Sequence, residues 1–515
     1  MSIRLLISAI AFCAFMQGAG AATLDEKIDK YFAPFSDAFS NVVFLSIGTD
    51  EVKVPILIIL LIIASIFCTI YLNFIGVWGF KHSLKQIFNR KTKFNEAKND
   101  KDGEVSSLGA LATALSGTVG LGNIAGVAIA ISVGGPGAMF WMIVGALFGM
   151  ALKFSEVTLS LKYRRFNADG SVSGGPMFYI AHGLTRHGLR WLGQPLAMFF
   201  ALMCVPGALG GGCMLQINQA TQQIIGITGG ENSFFSSHAW TFGLLIAIVV
   251  GLVIVGGIKN IANVTSKVVP TMCSLYLIAA IVIIAMNASH IPDCIRIVIE
   301  QAFFPQAVSG GLIGVIVMGM RRSIQSNEAG SGSAPIVYAA IKTKEPVSQG
   351  FVSLIEPFFD TVIICSMTAF VIIITGQYLN YTDGMTGVQL TSAAFASVFS
   401  FFPIILACVI ILFAISTIIS WAYYGQKAWE YIFGIGFKRT KAYQLMFCMF
   451  IVVGSAMNIN SVVDFTDATM LAMALPNLIA IFILIKEIKN DTIHYCKRHN
   501  ISNIFIKKWL SENDA

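Results

Sequence analysis

Apolar stretches of bilayer length recur along the chain at 53–80, 106–133, 137–161, 193–225, 239–256, 267–287, 311–340, 351–376, 388–421, 442–458 and 462–486. A helix needs about 20 largely apolar residues to cross the hydrocarbon core, so the pattern predicts about 11 transmembrane helices. The connections between them alternate in charge. Lys81, Lys85, Arg90, Lys91, Lys93, Lys98 and Lys101 follow the first run, and Lys162, Arg164, Arg165, Arg186 and Arg190 follow the third. Lys259 and Lys267, Lys342 and Lys344, then Lys427, Lys438, Arg439 and Lys441 continue the same parity, whereas the loops near Glu231, Asp293 and Asp383 carry only Arg296. Positive charge stays on the cytoplasmic side, so the first span starts outside and the C-terminus ends inside.

Two runs are interrupted. Ser116-Gly-Thr-Val-Gly-Leu-Gly-Asn-Ile-Ala-Gly126 places four glycines and a polar Thr/Asn pair in the middle of the second run. Unwound backbone at bilayer depth persists only where it faces protein or a water-filled site, which is how broken helices bind solutes in transporters. A small-residue helix contact through Gly122 and Gly126 explains the same spacing equally well. The seventh run is interrupted by Met320-Arg-Arg-Ser-Ile-Gln-Ser-Asn-Glu-Ala-Gly-Ser-Gly-Ser-Ala-Pro335. The two interrupted spans lie five apart and cross in opposite directions, the pattern of an inverted five-plus-five repeat with a site where the breaks meet.

Composition supports a polytopic membrane protein, with 56% hydrophobic and 12% charged residues in a chain of 515. That apolar share lies above, and the charged share below, those of soluble domains. The net charge of +7 is spread over short loops rather than gathered on one face, so orientation in the membrane explains it and nucleic acid does not. Cys68, Cys204, Cys213, Cys273, Cys365, Cys408 and Cys448 sit singly in apolar runs without metal spacing and read as small helix fillers. Residues 1–22 carry Arg4, an apolar core from Leu5 to Phe15 and the small-residue end Gly18-Ala-Gly-Ala-Ala22, the pattern of a signal peptide, with an uncleaved anchor as the alternative. Residues 23–52 then form an external amphipathic segment. The organisation expected is an extra span at 53–80, one repeat at 106–287, a second at 311–486 and a cytoplasmic tail at 487–515.

The ordered motifs GTVGLGNIAGVA, GGPGAMFWM, KFSE, GGPMFYI, SNEAGSGSAP, Phe359-Asp-Thr361 and WAYYGQKAWEY resemble the alanine or glycine:cation symporter family over roughly 53–486. The resemblance implies an all-α LeuT-type fold of ten core helices in two inverted repeats, preceded here by one span. It also implies sodium-driven uptake of a small neutral amino acid at the bacterial inner membrane, with no cofactor and with sodium as coupling ion. A proton-coupled carrier and a transporter-like sensor are the alternatives.

Candidate residues follow from the chemistry of a zwitterion and a hard cation. Backbone N–H groups around Gly120, Leu121, Gly122 and Asn123 can receive the carboxylate at a half-helix N-terminus. Freed carbonyls near Ser116 and Thr118 can ligate sodium, and Thr118 is expected to touch the substrate as well. Gln216 stands where the family has a substrate-facing glutamine, a helix-to-helix hydrogen bond being the equal alternative. Ser416 and Thr417 form a hydroxyl pair that in LeuT-type carriers completes a sodium site, against the ordinary capping role of such residues. In the second break, Gln325 and Asn327 are expected to touch the substrate, and Asn327 and Glu328 to orient it or hold the break open. Where the family has Gly-Leu-Phe before Ser-Asn-Glu-Ala-Gly, this chain has Ser323-Ile324-Gln325, which predicts a pocket able to admit serine or glutamine as well as alanine or glycine.

Buried charges need partners, each costing roughly 2.5–3.5 kcal/mol at the bilayer centre. Lys153 and Glu156, three apart, read as a structural ion pair. Glu356 and Asp360, one turn apart, are expected to pair with Arg321 or Arg322, with proton coupling as the alternative. Asp464 and Asp467 lie in the last run. A channel needs no matched pair of broken helices. No HExxH motif, Gly-x-Ser-x-Gly elbow or catalytic aspartate pair is present, so the sequence does not point to an enzyme.

Overall fold

A computed structural model describes residues 34, 38–41, 43–49, 52–88, 103–168, 170–305, 310–380 and 387–501. The expected leader and most of the amphipathic segment before the first span lie outside the described residues, as does the end of the expected tail. A short hairpin, Ser46–Thr49 against Val52–Pro55, leads into helix Ile56–Tyr71. The chain then bends by 65° into a segment over Ile75–Phe88.

Six helices among the described residues are long and apolar enough to cross a bilayer outright, and eight qualify when each bent pair is counted as one span. Three further elements match the remaining runs: Ala239–Ile254, the interrupted pair Gly311–Asn327 and Pro335–Tyr338, and Phe437–Ala456. Every expected apolar run therefore has a helical counterpart, and the protein is a multi-pass membrane protein. Outward-facing Leu245, Leu252, Ile278, Ile281 and Ile404 are exposed on these helices, as expected where lipid rather than water is the solvent.

The boundaries differ from expectation in two places. The run at 388–421 is two elements, a short helix Gly387–Ala396 and a 32-residue helix Phe402–Phe433. Pro403 sits in the first turn of the longer helix, where its missing N–H costs nothing, and so favours a new start there. The Gly387–Ala396 helix packs against the second half of the first broken span and against Leu215–Ile227. At the other end, helix Ile459–Arg498 runs on past residue 486 without a break.

Both interruptions seen in the sequence are real breaks. Ser107–Thr118 and Leu121–Gly134 meet at 53°. The first half is capped by the Ser106 hydroxyl, which accepts from the Gly109 N–H at 3.1 Å. In the second broken span, Glu328 takes a left-handed backbone with φ 56°, followed by Gly330 at φ 89° and Gly332 at φ 83°. Glycine accepts that conformation freely, but a glutamate is held there against a cost of about 1–2 kcal/mol. The expected charge pairing is also revised. Lys153 pairs with Glu356 at 3.1 Å rather than with Glu156, and both side chains are fully buried. Glu156 instead accepts from Asn477 Nδ2 at 2.6 Å and from the Gly332 N–H at 3.1 Å. Arg321 and Arg322 pair with Asp467 at 2.5 and 3.4 Å, not with Glu356 or Asp360. Sequence spacing favours neighbours along one helix, whereas packing of the broken spans presents closer partners from other helices.

Candidate substrate and cation site

The two breaks face one another. At Gly122 an added Cβ would find only the Gln325 carbonyl and Ser326 Cα, at 3.9 and 4.0 Å, so backbone meets backbone beside open space. A cavity there is lined by Gly117, Thr118 and Gly122 of the first broken span, by Gln325 and Glu328 of the second, and by Gly211, Leu215, Gln216, Trp421, Thr466 and Met470. Its lining nearly fills it, leaving about 20 Å³, room for about one water molecule.

Of the residues expected to touch substrate, Thr118, Gly122, Gln216 and Gln325 line this cavity, while Gly120, Asn123 and Asn327 do not. Gln216 is satisfied at both ends, its Oε1 accepting from the Leu121 N–H at 2.8 Å and its Nε2 donating to the Gly211 carbonyl at 3.0 Å. The Gly211 carbonyl is offered by a wide π turn over Gly210–Met214, such turns being frequent at functional sites. Gly120 is a point of close approach, since a Cβ would stand 2.6 Å from Thr417 Oγ1 and 2.9 Å from Gln216 Oε1.

Asn123 works behind the cavity. Its Oδ1 accepts from the Gly120 N–H at 3.0 Å, and its Nδ2 donates to Asp360 Oδ1 at 2.6 Å and Ser326 Oγ at 3.2 Å. Asp360 lies in a second π-helical stretch, Phe358–Cys365, and also accepts from Thr361 Oγ1 at 2.9 Å and from Ser326 Oγ. This buried carboxylate thus joins both broken spans through neutral donors. Asn327 turns away from the cavity, donating to Ser323 Oγ and Thr361 Oγ1, both at 3.2 Å. Glu328 holds the second break open, one carboxylate oxygen accepting from Trp421 Nε1 at 3.0 Å and the other from the Ser333 hydroxyl.

Three of the four expected sodium ligands come together. Thr417 Oγ1 donates to the Ser116 carbonyl at 2.9 Å, and Ser116 Oγ donates to the Ser416 carbonyl at 2.7 Å. The Ser416 hydroxyl donates to the Phe413 carbonyl at 3.0 Å. All three residues are buried, and their donor atoms are oxygens, the chemistry a hard cation prefers. Thr118 lies on the cavity side instead, its hydroxyl reaching back to the Ala114 carbonyl at 3.3 Å.

The cavity is tied on both sides. By the charge parity of the loops, Arg321, Arg322 and Asp467 lie on its outer side. On the inner side, Val105 and Ile341 form a parallel bridge, with the Lys342 N–H donating to the Val105 carbonyl at 2.9 Å. Arg164 caps the same strand-like segment by donating to the carbonyls of Ala339 at 3.0 Å, Thr343 at 2.5 Å, and Ile341. Trp421, Thr466, Leu215 and Met470 were not anticipated as cavity residues. Trp421 opens the Trp-Ala-Tyr-Tyr block, and Thr466 lies between Asp464 and Asp467, so both stood beside polar signals that spacing alone does not aim inward.

A model of the sodium:alanine symporter family matches residues 39–504. The chain belongs to that family. The transporter is 37% identical over 441 residues to the sodium/alanine symporter AgcS of Methanococcus maripaludis, covering 85% of this chain and 93% of that one. It is 34% identical over 480 residues to the probable sodium/glutamine symporter GlnT of Bacillus subtilis, covering 92% and 94%. An uncharacterized transporter of Haemophilus influenzae is 39% identical over 456 residues, covering 87% and 94%. Among solved structures, MhsT in complex with L-phenylalanine superposes with a TM-score of 0.51 at 15% identity, over 74% of this chain and 89% of that one. That likeness bears on fold alone and agrees with the LeuT-type architecture. The protein is a carrier, not an enzyme.

Proposed function

We propose that this transporter imports a small neutral amino acid together with sodium across the bacterial inner membrane. The observation that carries the reading is the cavity at the junction of the two broken spans, with Thr118, Gly122, Gln216 and Gln325 around it. The half-helix Ala125–Gly134 directs its positive end at the break, suited to a carboxylate. Carbonyls released at the end of Ser107–Thr118 suit the ammonium group. The cation is read at Ser116, Ser416 and Thr417, whose oxygens join the first broken span to helix Phe402–Phe433.

Placing the ion against the same break that binds the substrate supplies the coupling, because each ligand favours the arrangement the other needs. Transport then proceeds by alternating access, the repeats at 106–287 and 311–486 rocking around the site while the outer ties at Asp467 and the inner ties at Arg164 open in turn. The test is equilibrium binding of labelled alanine to the purified transporter at increasing sodium. Sodium should raise alanine affinity at least tenfold, with potassium or choline at equal ionic strength inactive. Equal affinity in all three salts would contradict the reading.

A further inference from the structure

We infer that the pocket selects a neutral amino acid whose side chain both accepts and donates a hydrogen bond, a hydroxyl or a carboxamide, over one with a purely aliphatic side chain. The inference rests on the substrate site proposed above and names its specificity determinants: Gln325 and Thr466, with Arg322 and Asp467 as positioning residues. Gln325 Oε1 accepts from Arg322 Nη1. A guanidinium carries donors only, so the contact fixes which end of the amide faces it, and the Nε2 donors must point elsewhere. Gln325 lines the cavity, and its Nε2 is shielded from solvent without a partner.

Thr466, which lines the same cavity, is fully buried and its hydroxyl also lacks a partner, though threonines on helices commonly return that bond to their own backbone. Thr469, three residues on, does so, donating to the Phe465 and Thr466 carbonyls at 2.9 Å each. The two unsatisfied groups belong to different elements of one small cavity, Gln325 from the second broken span and Thr466 from helix Ile459–Arg498. Arg322 lies 3.4 Å from Asp467, the residue next to Thr466, so the same ion pair that orients the Gln325 amide joins its element to that of Thr466.

Buried polar groups left unpaired are costly, and a site built to bond a polar substrate group discriminates against an analogue lacking it more sharply than an apolar pocket can reject extra bulk. A substrate hydroxyl accepts from Gln325 Nε2 and donates to Thr466 Oγ1. A carboxamide does the same with its two ends. An alanine methyl leaves both groups unpaired.

The experiment measures sodium-dependent binding of labelled alanine, serine, glutamine and methionine to the purified full-length transporter. Serine or glutamine should bind about tenfold more tightly than alanine and methionine. In Gln325→Leu and Thr466→Val the ratio of polar to apolar affinity should collapse to within about twofold of one, with size-exclusion profile and thermal midpoint confirming folded protein. Arg322→Met, which leaves Arg321 on Asp467, should reduce the ratio severalfold, and Arg322→Lys should restore part of it. Alanine binding as tightly as serine and glutamine in the wild type would overturn the inference while leaving symport intact. Sodium-independent binding of all four would instead overturn the underlying symport reading.

Discussion

Thr417 and Ser116 stand 301 positions apart in the chain, yet the Thr417 hydroxyl donates to the Ser116 carbonyl at 2.9 Å, and the Ser116 hydroxyl returns a bond to the carbonyl of Ser416. This reciprocal contact fastens helix Phe402–Phe433 to the last turn before the first break. On the proposed reading, a cation bound here would hold that helix against the break.

Thr417→Val keeps the side-chain shape and removes the oxygen. Loss of one hydrogen bond should cost only about 1 kcal/mol of stability. The sodium concentration for half-maximal uptake should rise more than tenfold, while membrane accumulation stays near wild type and Thr417→Ser recovers most of the sodium response. Sodium titration of initial uptake rates checks it.

Lys153 and Glu356 form a fully buried pair between helix Ala138–Lys162 and the segment after the second broken span. Removing one partner leaves a charge unmatched at membrane depth, so Lys153→Met should destabilise by about 3–5 kcal/mol. The double variant Lys153→Met with Glu356→Gln should recover at least half of that. Thermal unfolding of the single and double variants in detergent gives the coupling directly.

Gly120→Ala places a methyl 2.6 Å from Thr417 Oγ1 and 2.9 Å from Gln216 Oε1. Neither neighbour is free to yield, since Thr417 holds Ser116 and Gln216 holds Leu121. Overpacking of this kind costs about 1–3 kcal/mol. Transport should fall at least tenfold, whereas Gly122→Ala, which meets nothing closer than 3.9 Å, should alter substrate affinity more than stability. Uptake and thermal midpoints measured side by side separate the two effects.

Asp467→Asn should loosen the outer side, because Arg321 and Arg322 both rely on that carboxylate. Hydrogen exchange in 311–327 and 459–476 should quicken severalfold, and bound amino acid should dissociate faster. The bridge between Val105 and Ile341 on the inner side should retain its protection.

The spans and the two breaks were legible in the sequence because bilayer thickness fixes run length and because glycine and charge in an apolar run leave few alternatives. Gly120 and Glu328 announced themselves in this way, whereas Gln325 stood out only through the resemblance, as a departure from that family's Gly-Leu-Phe. The π turns at Gly210–Met214 and Phe358–Cys365 did not, since one extra residue in a helical turn leaves no periodic mark, although Gly210-Gly-Gly212 and Pro357 lie at their starts. Those turns present the Gly211 carbonyl to Gln216 and Asp360 to Asn123. Charge partners were the least legible. Lys153 lies three residues from Glu156, but its closest carboxylate is about two hundred residues away on Glu356, a relation that only packing creates.

The central claim, that the joined breaks couple sodium to amino-acid import, is tested most directly by uptake of labelled alanine and serine into proteoliposomes under an inward sodium gradient. Accumulation above the external concentration that collapses when the gradient is removed, and that Thr417→Val weakens, is the result the account predicts. Uptake that only equilibrates across the membrane, or that proceeds equally without sodium, would contradict it.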